Sequence, residues 1–234
     1  HLAAISPERM TALRIAFRGL HDAFESLLPF TIASLLWWAG VLTVALGPGA
    51  TMALFRFADP RFLAATDDRP GVRESIAFAL RNLGRGWKLA LISGSLLFVL
   101  FYNLWFYGSR DSWFSILGPI WLSLLLLGVL VMLAAFATAA LLDLPAWPSF
   151  RQGFLLTMAF LPRALVVMAL ILILTAVGGV LVVPLVMFLP ASFAAILNRF
   201  VLTNLRIPIP DPLAPTDERL VEEAKSKESK RFGP

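Results

Sequence analysis

Cysteine is absent from this chain of 234 residues, and the only two histidines are His1 and His21. Without cysteine the protein can form neither disulfides nor thiolate metal sites. The serines in the apolar segments have no nearby base, and no pair of carboxylates lies in those segments, so the residue patterns of known catalytic sites are missing. The sequence therefore predicts a non-enzymatic protein with no catalytic residues, no cofactor and no metal site.

Charged residues are also scarce. They make up 15% of the chain, whereas hydrophobic residues make up 59% and the mean hydropathy is +0.79. These values lie outside the range of water-soluble domains. The apolar residues form four long uncharged blocks, at residues 27–54, 89–108, 113–142 and 164–197. The composition predicts an all-α, polytopic membrane helix bundle, and the lack of ionisable residues within the blocks argues against a proton relay or an ion-coupled pump.

About 20 apolar residues in a helix cross the hydrocarbon core of a membrane. On this basis the sequence predicts about five transmembrane helices, at residues 28–46, 87–107, 113–141, 163–176 and 181–205. The short polar sequence GSRDS joins the second helix to the third, and Gly178-Gly179 joins the fourth to the fifth. The bundle is therefore predicted to contain a first span and two helical hairpins.

An amphipathic interfacial helix is predicted before each of these units. Residues 1–27 contain the first, with an apolar stripe opposite charged residues. The segments RESIAFALRNLGR (73–85) and RQGFLLTMAFLPR (151–163) align without a gap, and each leads through a helix breaker into a hairpin. This similarity predicts one unit used two or three times, as in parallel-repeat transporters. The alternative is that any interfacial helix before a span shows the same basic start and breaker.

Lysine and arginine are concentrated in two regions outside the predicted spans, the loop 56–86 and the C-terminal tail 206–234. By the positive-inside rule both regions are predicted to be cytoplasmic. The tail, which begins with spaced prolines and continues with mixed charges, is predicted to be mobile. The transmembrane bundle then comprises residues 28–205.

The side of the N-terminus stays open at this point. Five crossings would place it outside, although it contains three arginines, Arg9, Arg14 and Arg18. Either the remaining positive charges outweigh these arginines, or the block 27–57 enters and leaves the membrane on one side as a broken, re-entrant element.

Gly47-Pro48-Gly49 interrupts the first apolar block. Proline is tolerated only in the first turn of a helix, so the triplet is predicted to end one helix and to begin another at about Ala50. The free N-H groups of the new helix could hold a lipid phosphate or a solute hydroxyl, with Thr51 nearby. The alternative is a plain turn.

Basic residues at the cytoplasmic side are predicted to bind anionic lipid head groups. The candidates for this role are Arg56, Arg85 and Arg163. For Arg85 and Arg163 the alternative is pairing with Asp143. The net charge is +5, but the sequence contains no nucleic-acid-binding motif, so nucleic acid is not an expected partner. Assembly into a homo-oligomer is left open.

The sequence LLWWAGVLTVALGPGATMALFRF resembles the YesL-like family of bacterial integral membrane proteins, a domain of unknown function. Its most specific part is ALGPGATMAL, and RESIAFALRNLGRGWKLALISG looks like the family's aromatic and basic helix that leads into the second span. Gly49 departs from the pattern, in which alanine follows the proline directly.

The resemblance implies an association with bacterial sugar-uptake and polysaccharide-utilisation systems, often beside ABC transporters. It implies permease subunits of such a transporter as partners, but it carries over no binding residues. The sequence therefore predicts an accessory protein of carbohydrate uptake. The alternatives are an autonomous channel or carrier for a small solute, and a structural or regulatory membrane adaptor.

Overall fold

The computed structural model of the protein describes residues 18–21, 27–63, 71–109, 117–181 and 184–209. Residues 18–21 are helical, and no strand is present in the described ranges. The longer elements are α1 (Leu27–Leu42), α2 (Gly47–Phe57), α3 (Pro60–Leu63), α4 (Val72–Arg81), α5 (Leu83–Gly108), α6 (Gly118–Leu142), α7 (Ala146–Ala159), α8 (Leu161–Leu181) and α9 (Pro184–Asn204). The prediction of an all-α fold is confirmed for these residues.

Three of the described helices, α5, α6 and the α8 segment Leu161–Gly179, are long and apolar enough to cross a membrane. This is consistent with a membrane-embedded protein. α5 has 26 residues, which corresponds to about 39 Å at 1.5 Å per residue. Few of its side chains are buried, whereas most of those in the C-terminal half of α6 are buried.

Several predicted boundaries differ from the structure. The first predicted span, 28–46, is a 16-residue helix that ends at Leu42, about 24 Å long and therefore shorter than the hydrocarbon core. The predicted turn at Gly178-Gly179 is wrong, because α8 continues through both glycines to Leu181. α5 begins at Leu83, so the predicted loop 56–86 contains α3 and α4 and the first turn of α5.

The predicted break near Gly47-Pro48-Gly49 is confirmed. α1 ends five residues before the triplet, Val44 in the intervening turn has a φ of 54°, and α2 begins at Gly47 with proline in its first turn. α2 folds back against α1, because the Gly40 position lies against Ala50 and the Phe30 and Phe57 ring centroids are 6.1 Å apart.

α2 lies across one end of the α5–α6 hairpin. At its beginning, the Trp87 Nε1 of α5 donates a hydrogen bond to the Ala45 carbonyl at 2.9 Å. Beyond its end, Arg61 Nη2 donates to the Leu141 carbonyl of α6 at 3.0 Å. We call this end of the bundle, where α5 begins and α6 ends, the hairpin base. The break after α1 therefore turns the chain so that α2 can cross the base.

The centre of the bundle is formed by α9, which contacts α1, α2, α6 and α8. Its most buried side chains are Ile196, Leu197, Phe200, Val201 and Leu202, each fully shielded. α1 packs against α9. The Phe30 and Phe188 ring centroids are 6.3 Å apart, and the Ala191 amide, which follows the helix-interior Pro190, donates a hydrogen bond to Ser34 Oγ at 3.3 Å.

α7 doubles back along α6 because the chain reverses at Asp143, which has a φ of 54°. Thr138 Oγ1 donates a hydrogen bond to the Ser149 carbonyl at 3.1 Å. At Gly153 the two backbones approach so closely that an added Cβ would lie 2.6 Å from the Ala135 nitrogen. The absence of a side chain at Gly153 of α7 thus allows the backbones of α6 and α7 to lie in direct contact.

The two aligned segments adopt the same local structure. α4 is separated from α5 by Asn82 alone, and α7 is separated from α8 by Phe160 alone. Asn82 and Phe160 are paired in the gapless alignment. Their carbonyls accept hydrogen bonds from Gly86 and Ala164, the residues that directly follow the two aligned segments, at 2.8 and 2.9 Å. Both breaks fall two residues before the predicted breakers, Gly84 and Pro162. The likeness of the segments therefore extends to backbone geometry.

The predictions for the two termini lie mostly outside the described residues. Of the predicted helix within 1–27, the structure describes residues 18–21 and 27, and a Cβ added at Gly19 would lie 2.8 Å from the Ile196 Cα of α9. Of the predicted tail 206–234, it describes residues 206–209.

Candidate functional site at the hairpin base

The glycine-proline-glycine triplet is a packing joint between α2, α4 and α5. Gly47 and Gly49 are buried. A Cβ added at Gly49 would lie 2.6 Å from the Ala79 carbonyl oxygen of α4, and one added at Gly86 would lie 2.9 Å from the carbonyl carbon of Pro48. The backbone of α2 therefore begins in contact with the backbones of two neighbouring helices.

Thr51 is engaged by neighbouring groups. Its hydroxyl donates a hydrogen bond to the Gly47 carbonyl at 2.9 Å and accepts one from Trp37 Nε1 at 3.0 Å. These contacts join the first turn of α2 to α1. The geometry favours the plain-turn interpretation of the triplet, and anion binding at Gly47, Pro48, Gly49 and Thr51 stays a prediction.

Arg85 fastens the start of α5 to the end of α6. Its Nη1 lies 2.6 Å from Asp143 Oδ1 and 3.4 Å from the Leu144 carbonyl oxygen, and its Nη2 donates to Asn82 Oδ1 at 2.6 Å. The cation therefore stands at the negative end of the α6 dipole as well as beside a carboxylate. Four-fifths of its side chain is shielded from solvent.

Arg163 joins the start of α8 to the end of α9, the two helices of the second hairpin. Its Nη1 donates a hydrogen bond to Asn204 Oδ1, at the end of α9, at 2.8 Å. Its guanidinium carbon also lies 5.4 Å from the centre of the Phe160 ring. In each hairpin an arginine at the start of the first helix thus binds the end of the second, and we call each of these contacts a hairpin clasp.

The clasp of the first hairpin is expected to contribute to stability. We expect Arg85→Gln to lower the free energy of unfolding by about 1.5–3 kcal/mol, the range for hydrogen bonds to charged groups. Arg163→Gln should lie at the lower end of that range, about 1.5 kcal/mol, because the Arg163 guanidinium makes one such hydrogen bond whereas that of Arg85 makes more. Thermal unfolding in detergent measures both, and phosphorus analysis reports the lipid that is retained. Loss of anionic lipid at unchanged stability would contradict the clasp and support head-group binding by these arginines.

Arg56 lies beside an ion pair that the sequence analysis did not single out. Asp59 is fully buried, and Nε and Nη2 of Arg61 donate hydrogen bonds to its carboxylate oxygens at 2.7–3.1 Å. Arg56 is 3.9 Å from the same carboxylate and its guanidinium carbon lies 4.7 Å from the Phe62 ring centre. The hydrogen bond to Asp59 raises the pKa of Arg61, whereas burial of the guanidinium acts to lower that pKa. The sequence feature that could have indicated this ion pair is the short spacing between Asp59 and Arg61, which are separated by one proline.

Side chains also bind backbone carbonyls at the ends of other helices. Asn198 Nδ2 of α9 donates to the Phe55 carbonyl of α2 at 2.7 Å, and Arg61 Nη2 donates to the Leu141 carbonyl of α6. Asn198 is fully buried and its Oδ1 has no partner in the described part of the chain. The hairpin base is therefore a network that satisfies helix termini, which otherwise leave carbonyls unpaired.

An apolar groove of about 590 Å³ lies beside this network, and we call it the α4 groove. α1 and α2 form one wall and α4 forms the other. Among its lining residues are Ile32, Trp37, Ala39, Ala50, Phe57, Val72, Ser75, Ile76 and Leu80. Its surface consists almost entirely of apolar atoms.

In the described ranges no group of three or more histidine, aspartate or glutamate residues is placed to hold a metal ion. Comparisons with protein-family models, with curated proteins and with solved structures find no match to this chain. The resemblance to the YesL-like family therefore rests on the residues quoted above and stays a prediction.

Proposed function

We propose that the chain is a non-enzymatic accessory protein of the bacterial inner membrane that assists carbohydrate uptake by an ABC-type transporter. The resemblance to the YesL-like family supports the link to sugar uptake. The observation that favours an accessory role is the apolar lining of the α4 groove, since a sugar site needs convergent polar groups. Permease subunits of the transporter are the proposed partners.

An autonomous channel or carrier is the second candidate. It is favoured by the likeness of segments 73–85 and 151–163, because internal repeats are common in transporters. A third candidate, a structural or regulatory adaptor, would need neither solute nor transporter. The two hairpin clasps suit such a scaffold because each fixes a pair of helices.

Two measurements separate these candidates. Affinity purification from the native membrane should recover permease subunits if the chain is an accessory protein. The purified protein in liposomes should then show no sugar flux above that of protein-free liposomes. Sugar flux without partners would establish the carrier, and purification without transporter subunits would leave the adaptor.

The proposed orientation places the hairpin base in the cytoplasm, because Arg56, Arg61, Arg73, Arg81, Arg85 and Lys88 all belong to it or to the adjoining helices. The C-terminus is proposed to lie on the same side. Single cysteines in place of Thr66 and Ser226 test this in a chain that has none of its own. We expect an impermeant thiol reagent to reach both from the same side, and opposite accessibility would contradict the orientation.

A further inference from the structure

The chain meets α9 at nearly the same level before α1 and after it. Before α1, a Cβ added at Gly19 would lie 2.8 Å from the Ile196 Cα. After α1, the Phe55 carbonyl of α2 accepts a hydrogen bond from Asn198 Nδ2 at 2.7 Å. Neighbouring α9 residues two positions apart are separated by about 3 Å along the helix axis. The chain between Gly19 and Phe55 therefore returns to the depth at which it started.

α1 and α2 lie side by side in opposite directions. The ring centroids of Phe30, near the start of α1, and Phe57, at the end of α2, are 6.1 Å apart. Trp37 Nε1 donates to Thr51 Oγ1 at 3.0 Å nearer the other ends. α2 and the segment after it are held at the hairpin base by the contacts with α5 and α6 described above. Both ends of α1 therefore lie close to the base.

This geometry bears on the side of the N-terminus. A pair of helices that does not cross the bilayer leaves the preceding chain on the side of the hairpin base. That preceding chain contains Arg9, Arg14 and Arg18. The positive-inside rule favours the same side for these arginines and for those of the loop 56–86, whereas a crossing by α1 would separate them.

The turn between α1 and α2 exposes apolar side chains but has paired carbonyls. Leu42 and Val44 are 78% and 69% exposed. The four carbonyls of residues 43–46 all accept hydrogen bonds, from the Ala45 and Gly47 amides, from Trp87 Nε1 and from the Ala50 amide. Water would satisfy exposed carbonyls but hydrocarbon does not, so this pairing suits contact with lipid.

The same turn lies beside α5 where that helix begins. Trp87 of α5 binds the turn, and tryptophan is enriched at the membrane–water interface. Leu91 follows Trp87 by one helical turn on the same face of α5 and is 62% exposed. The exposed side chains of the turn therefore continue the outward apolar surface of a helix long enough to span the membrane.

We propose that α1 and α2 form an interfacial hairpin that does not cross the bilayer and that inserts Leu42 and Val44 into the leaflet at the hairpin base. The N-terminus then lies on the same side of the membrane as the base. The partner of this surface is the boundary between lipid head groups and acyl chains. This inference goes beyond the proposed function, because it holds equally for an accessory protein, a carrier and an adaptor.

The absence of a crossing is tested with single cysteines in the full-length chain. His21, Ala77 and Ser109 are exposed, and they lie before α1, on α4 and directly after α5. An impermeant maleimide is applied to intact cells and to inverted membrane vesicles. We expect His21→Cys and Ala77→Cys to be labelled in the same preparation, and the control Ser109→Cys in the other. Labelling of His21→Cys and Ala77→Cys in different preparations would overturn the proposal, whichever side is cytoplasmic.

The insertion of the turn is tested with nitroxide labels on Leu42→Cys and, as the control in water, Ala77→Cys. The protein is placed in vesicles of phosphatidylethanolamine and phosphatidylglycerol, and electron paramagnetic resonance measures collisions with oxygen and with a water-soluble nickel chelate. Oxygen concentrates in hydrocarbon, so we expect the oxygen-to-nickel collision ratio to be several-fold higher at Leu42 than at Ala77. Equal ratios would place the turn in water, and protection from both probes would indicate a protein partner. Either result overturns the proposal.

Discussion

Arg61→Met is expected to lower the free energy of unfolding by about 3 kcal/mol, because it leaves the buried carboxylate of Asp59 without its main cationic partner. The variant also removes the hydrogen bond to the Leu141 carbonyl, so the segment after α2 loses its attachment to the end of α6. Thermal unfolding in detergent, together with protease sensitivity of the segment after α2, measures the effect.

The matched control is Arg56→Met. Arg56 lies 3.9 Å from the same carboxylate with a side chain that is 36% exposed, so its loss should cost about 1 kcal/mol or less. The double variant Asp59→Leu/Arg61→Met should recover much of the loss, because it removes the buried charge together with its partner. Equal effects of the two single variants would show that the Asp59–Arg61 pair does not hold the hairpin base together.

Gly49→Ala and Gly86→Ala are each expected to cost about 1–3 kcal/mol through overpacking. The new Cβ would lie 2.6 Å from a carbonyl oxygen of α4 in the first variant and 2.9 Å from a carbonyl carbon of α2 in the second. Backbone atoms at these distances can move away from the new Cβ only if the two helices separate. Thermal unfolding of the two variants in detergent measures the loss.

Gly84→Ala is the control, because Gly84 lies in the same helix as Gly86 and an added Cβ would meet nothing within 4 Å. It should be neutral or stabilise the protein by up to about 1 kcal/mol, since alanine favours helix more than glycine does. Equal stability of Gly84→Ala and Gly86→Ala would contradict the packing joint. Loss of bound lipid in Gly49→Ala without loss of stability would instead support the anion site.

Features encoded locally were predictable from the sequence. Long uncharged blocks predicted the apolar helices, and the restricted backbone of Pro48 predicted a new helix start within three residues of the observed one. The likeness of segments 73–85 and 151–163 predicted two similar entries into hairpins, and both have the same one-residue break. Such features depend on residues within one or two helical turns, so no tertiary partner is needed to infer them.

Features that depend on distant partners were harder to predict. Arg85 and Arg163 were interpreted first as lipid ligands, with pairing to Asp143 as the alternative. Asp143 does pair with Arg85, whereas the partner of Arg163 is Asn204, which nothing in the sequence indicated. Gly49 read as a possible anion site because a helix start has free amides, but the backbone of Ala79 lies against it. Gly178-Gly179 read as a turn because glycine often ends helices, although α8 continues through both residues.

The central position of α9 sets the order in which the protein can be completed during synthesis. The clasp between Arg85 and Asp143 can close once α6 has been made, because both partners belong to the first hairpin. Ser34, in contrast, receives its hydrogen bond from Ala191 of α9, which lies 157 residues later in the sequence, and Phe30 meets Phe188 only when α9 is made. The first hairpin can therefore form before the interior is filled, because α9 is the last of the described helices to be made. We expect a chain that stops before α9 to have the first hairpin but no filled core.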